Sequence, residues 1–149
     1  MVQKTEQQNG KVEAAQQNSK QSKLEQYFEQ NSKFFGSGDI DGKKAFFCLG
    51  QYTRRVMEAE EKKVADAGEE NKFQKRLVKQ IGYNMSYRNF GLVIKLLDGE
   101  ALTVNPELFT KCSGACKQFI INSECVSDKK ALKPEDANLA FSLGMYQKF

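Results

Sequence analysis

The chain has 149 residues and carries 23 lysines and arginines against 19 aspartates and glutamates, a formal charge of +4 that does not by itself call for a polyanionic partner. Its length suits one hydrophobic core rather than two. There is no histidine, which excludes Ser-His-Asp and Cys-His catalysis and histidine-ligated metals; a lysine or carboxylate mechanism stays formally open, but no motif supports one, and a non-enzyme is expected.

Two prolines, no tryptophan and an abundance of Ala, Leu, Glu, Gln and Lys favour helix over strand. Residues 1–22 hold only two valines as aliphatic side chains larger than alanine and no aromatic ring, so they read as a polar tail, disordered or an exposed helix. From Lys23 the pattern changes. Leu24, Tyr27, Phe28 and Phe34 fall near helical spacing before the breaker Gly36-Ser37-Gly38-Asp39. A second helix is expected from Asp41 or Gly42 to about Ala67, with Ala45, Leu49, Tyr52, Val56 and Met57 on one face and Gly68 as its stop.

A third helix should cover about Glu70 to Tyr83 through Phe73, Leu77 and Ile81. A fourth follows Asn84-Met85-Ser86 and is expected to end at Leu97, closed by Asp98-Gly99. Asn105-Pro106-Glu107 signals the next start, with Leu108, Phe109, Cys112, Cys116, Phe119 and Ile120 as its buried stripe. The last helix begins at Lys133-Pro134-Glu135-Asp136 and runs through Ala137, Ala140, Phe141 and Gly144. The fold class is therefore all-α, a single bundle of about five to six helices over 23–149. No membrane-spanning run and no apolar leader are present in the sequence, so a cytoplasmic protein is expected.

Cys48, Cys112, Cys116 and Cys125 read as reduced packing residues. Cys112 and Cys116 stand one helical turn apart, which is not the two-residue loop spacing of a zinc knuckle, and no metal or other cofactor is expected. Asp39-Ile40-Asp41-Gly42 looks like the start of a calcium loop. The following Lys43-Lys44-Ala45 lacks the later oxygen ligands, and a helix start fits better.

One motif is written twice: Phe47-Cys48-Leu49-Gly50-Gln51-Tyr52 and Phe141-Ser142-Leu143-Gly144-Met145-Tyr146. A glycine inside a helix costs about 1 kcal/mol relative to alanine, so two in the same context point to helices approaching closely. On a helical wheel Phe47 falls among Lys43, Arg54 and Glu58, away from the Leu49 stripe, and is the motif member expected to face a partner.

Between Glu70 and Asp98 there is no acidic residue, while Lys72, Lys75, Arg76, Lys79, Arg88 and Lys95 all lie there. The first four share one helical face, where like charges repel by about a few tenths of a kcal/mol per pair unless an anion lies alongside. This pattern predicts a phosphate-backbone track, extended by Asn84, Tyr87 and Asn89 as hydrogen-bond donors. A second basic group, Arg54, Arg55, Lys62 and Lys63, is interleaved with Glu58, Glu60 and Glu61 and is expected to be mostly paired internally.

The order Phe-Cys-Leu-Gly-x-Tyr-x-x-x-Val from Phe47 to Val56, then Phe73 to Leu77, Tyr83-Asn84-Met85 and Ala-Asn-Leu-Ala-Phe-Ser-Leu-Gly from Ala137 to Gly144 resembles the C-terminal helical bundle of the type I-B CRISPR large subunit. That bundle also occurs as a free small subunit of Cascade, the RNA-guided DNA surveillance complex, made in several systems by internal translation of the large-subunit gene. The resemblance covers about 40 to 149. It implies a non-catalytic subunit present in several copies, touching backbone and large subunits, guide RNA and target DNA, and steadying the separated DNA strands. Lys72, Lys75, Arg76, Lys79 and Arg88 are the positions onto which that role would pass. The alternative is a helical protein-protein scaffold without nucleic-acid contact.

Overall fold

A computed structural model of the chain describes residues 22–68 and 85–149, and helices and helical turns are the only regular elements in them. The expected helix at about Glu70 to Tyr83 lies outside the described residues. The chain divides into two compact units, one running to Gly36 and taking in Phe149, the other spanning Ser37–Lys148.

In the first unit, helix α1 (Lys23–Gln30) begins with a capping box. The Ser22 hydroxyl accepts the Glu25 N–H at 3.0 Å, and the Glu25 carboxylate accepts the Ser22 N–H at 3.2 Å, so two otherwise orphaned donors are satisfied reciprocally. The short α2 (Ser32–Phe35) follows. Aromatic packing replaces a larger core here: the buried Phe28 and Phe35 have ring centroids 4.7 Å apart, and Tyr27 meets Phe35 and Phe149 edge-on, each at 5.9 Å.

The second unit is an all-α bundle built around α3 (Ile40–Ala67). It continues through α4 (Tyr87–Val104), the single turn α5 (Pro106–Leu108), a π-helical turn (Phe109–Ser113), α6 (Gly114–Ile121), a 3₁₀ turn (Glu124–Val126) and α7 (Pro134–Tyr146). α3 packs on α4, α6 and α7 at once. Consequently Ala45, Phe46, Phe47, Cys48, Leu49 and Gly50 are all buried in succession, around the helix and not along a single stripe. At the far end Gly68, with φ 71°, turns the backbone left-handed and closes α3 as expected.

This arrangement corrects the reading of Phe47. Its side chain is fully buried, so it does not face a partner across solvent. A wheel drawn for one buried stripe places Phe47 outside, but a helix with neighbours on several sides has no outer face at that level.

The twice-written motif packs against itself. A side-chain carbon at Gly50 would collide with the Phe141 carbonyl oxygen, and one at Gly144 would collide with the Phe47 carbonyl oxygen. The next atoms met correspond in the same way, Met145 N opposite Gly50 and Gln51 N opposite Gly144. α3 and α7 thus cross with local two-fold symmetry, each glycine receiving the carbonyl of the other copy's phenylalanine.

α4 also departs from expectation, running past Asp98-Gly99 to Val104. The Asp98 carboxylate is engaged elsewhere. It accepts the buried Tyr52 hydroxyl at 2.7 Å and pairs with the Lys117 ammonium at 3.0 Å, joining α3, α4 and α6. With that side chain unable to cap its own backbone, and Ala101 fully buried one turn on, the helix continues. In the stripe expected after Pro106, Cys116 and Ile120 are buried, whereas Leu108, Phe109, Cys112 and Phe119 are half-buried. The π turn inserts extra arc between the two halves and breaks the register on which a continuous stripe depends.

Candidate nucleic-acid interface

The basic positions divide three ways. Lys72, Lys75, Arg76, Lys79 and Asn84 lie outside the described residues. Arg88 and Lys95 stand exposed on α4, two turns apart on one face, with the partly exposed Leu92 between them. Among the described residues neither cation makes an ion pair.

Arg54, by contrast, is committed to the fold. Its guanidinium donates to the Met145 carbonyl at 2.7 Å and pairs with Glu58 at 3.1 Å, which places a positive charge on the C-terminal end of α7. Arg55 reaches the Cys112 sulfur at 3.9 Å and is half-buried. The Arg54–Glu58 pair follows the i, i+4 spacing read from the sequence. Lys62 and Lys63 remain exposed further along α3.

The start of α4 also borders an open pocket of about 510 Å³, lined by Tyr87, Arg88, Phe90, Gly91, Ile120, Ile121, Val126 and Lys129. Its floor is apolar, and Arg88 and Lys129 are its only charged lining residues among those described. Neither Lys129 nor Ile121 belongs to the acid-free interval or to a motif in the sequence. Lys129 comes from the segment after the 3₁₀ turn, far along the chain from Arg88, and the Lys129-Lys130 doublet after Asp128 was the only local signal.

Asp39 sets the position of that wall. Its carboxylate is buried, and each oxygen takes two donors: Gly42 N at 3.1 Å and Glu124 N at 3.0 Å on Oδ1, Ser123 Oγ at 2.6 Å and Cys125 N at 3.2 Å on Oδ2. One side chain therefore caps α3 and fixes the turn Glu124–Val126, whose Val126 lines the pocket. Burial works to raise the Asp39 pKa, but the four hydrogen bonds prevail and hold it below the usual carboxylate range. On the other side, Met85 N donates to Asn138 Oδ1 at 2.7 Å and ties the residues leading into α4 to α7.

The cysteines are free thiols. Burial, reinforced by the neighbouring Cys112 and only partly offset by Lys44, pushes Cys48 up to about 12. Burial likewise raises Cys116 far above its ordinary value. Such thiols stay protonated at neutral pH and make poor nucleophiles or ligands. Among the described residues no group of His, Cys, Asp or Glu is arranged to hold a metal ion, and no helix is long and apolar enough to cross a membrane.

Compared with protein-family models, with curated proteins and with solved structures, the chain shows no match.

Proposed function

We propose that this protein is a non-catalytic, cytoplasmic subunit that binds the nucleic-acid backbone without sequence preference, as the small subunit of a Cascade-type RNA-guided surveillance complex. In that role it would sit in several copies beside the backbone and large subunits, near guide RNA, and stabilise the separated strands of target DNA. The observation that carries the reading is the exposure of Arg88 and Lys95, neither in an ion pair among the described residues, within an interval, 71–97, that contains no acid. Exposed cations that no carboxylate neutralises gain most from a phosphate backbone, where each contact releases condensed counterions. The resemblance of the Phe47–Val56 and Ala137–Gly144 segments to the Cascade bundle supplies the assembly.

Changing Lys75, Arg76 and Lys79 together to Glu, on a background of Arg88→Glu, should lower the assembled complex's DNA affinity by at least about tenfold at moderate salt. Incorporation of the subunit should be unchanged. An unaltered DNA affinity would sink the proposal. A scaffold without nucleic-acid contact is the second reading, favoured by the exposed Ile121, Val126 and Leu139. It predicts no salt-dependent association with DNA or RNA.

A further inference from the structure

The pocket beside α4 is more apolar than a phosphate track needs. A backbone binder requires cations and donors, yet Phe90, Ile120, Ile121 and Val126 build a floor and wall that no phosphate would touch. Ile121 is 65% and Val126 48% exposed, so this apolar surface faces solvent in the free protein. Gly91 leaves the pocket unfilled at its α4 side, because a side-chain carbon placed there meets nothing within 4 Å.

Resting on the nucleic-acid reading, we propose that this pocket receives one unstacked nucleobase of a single strand, its faces against Tyr87 and the Ile121–Val126 wall, with the flanking phosphates at Arg88 and Lys129. Three features fit that occupant together. The volume of about 510 Å³ lies in the range of small-molecule sites. The lining offers aromatic and aliphatic faces but few groups able to read a base edge, which suits a binder without sequence preference. The charged lining residues described are both cations, which complements a base flanked by phosphates.

The proposal separates base capture from backbone attraction, so two oligomers of equal charge decide it. The full chain would be titrated, by fluorescence anisotropy, with labelled oligothymidylate and with an oligomer of the same length built from abasic tetrahydrofuran units. Oligothymidylate should bind about tenfold more tightly, the scale of one stacked base. Gly91→Leu fills the pocket without altering charge. In that variant oligothymidylate should fall to within about twofold of the abasic oligomer, whose own affinity stays put. In the wild-type protein the Tyr87 ring resonances should shift with oligothymidylate and not with the abasic oligomer. Equal affinities for the two oligomers in the wild-type protein would overturn base capture while leaving the backbone reading intact, as would an advantage for oligothymidylate that survives Gly91→Leu. If neither oligomer binds, both proposals fall.

Discussion

Asp39 is a charged side chain 2% exposed to solvent, and it is tolerable because four donors replace the water it loses. Asp39→Asn tests this account. In place of Oδ1 the amide nitrogen would face two backbone donors, Gly42 N and Glu124 N; in place of Oδ2 it could donate to a turned Ser123 hydroxyl but would still face Cys125 N, so at least one N–H loses its acceptor in either orientation. A loss of about 2–3 kcal/mol is expected from chemical denaturation, against almost no change in volume. The pH dependence has a definite sign. Because the folded-state pKa lies below the unfolded one, Asp39 stabilises the fold fully above pH about 4 and progressively less as pH falls through the folded value. Stability of the wild-type protein should therefore drop more steeply below pH about 4 than that of Asp39→Asn. Parallel acid limbs for the two proteins would show that the hydrogen bonds do not depend on the carboxylate charge. Since the same carboxylate seats the Glu124–Val126 turn, the variant should also loosen one wall of the pocket.

At the scale of the helix, identical substitutions are expected to act in opposite directions. Gly50→Ala and Gly144→Ala each improve helix propensity, but each drives a methyl group into the carbonyl of the opposing phenylalanine. Separating α3 and α7 should cost about 2–3 kcal/mol, more than the propensity gain. Gly99→Ala, where a side-chain carbon meets nothing within 4 Å, should instead stabilise by about 0.5–1 kcal/mol. Thermal unfolding of the three variants checks the ordering, and stabilisation at Gly50 would contradict the close crossing. The two crossing substitutions push the same pair of helices apart, so the double variant should lose less than the sum of the singles. The sequence announced a close approach at both glycines, because a helical glycine is a local cost that something must offset. It did not announce that the two copies cross each other, since spacing defines a face and never names its neighbour. The same limit explains Phe47: a wheel drawn for one stripe leaves it outside, but α3 has neighbours on several sides and the phenylalanine side chain is fully buried. The end expected for α4 at Gly99 failed for a related reason, because the partners that hold Asp98, Tyr52 and Lys117, come from other helices.

For the molecule as a whole, the net charge of +4 is a weak guide, and its distribution matters more. Arg54 draws its charge inward onto α7, whereas Arg88, Lys95 and Lys129 stand at the surface around one end and face of α4. The Arg88 and Lys95 part of this pattern was legible from the acid-free interval. Lys129 was not, because only the tertiary fold, through Asp39 and the turn after Ser123, brings it beside Arg88. The division makes a quantitative prediction about salt. Each cation that contacts a phosphate contributes close to one unit to the slope of log affinity against log salt concentration. Arg88→Ala and Lys95→Ala should each flatten that slope by about 0.7 unit for single-stranded DNA and reduce affinity alike for unrelated sequences. Lys62→Ala and Lys63→Ala, further along α3 and directly preceded by Glu60 and Glu61, should leave it unchanged. Arg54→Ala should lower thermal stability without altering the slope, because its guanidinium is held by the Met145 carbonyl and Glu58. A slope that responds equally to all five substitutions would mean that binding follows net charge alone, and the α4 surface would lose its claim to be the interface.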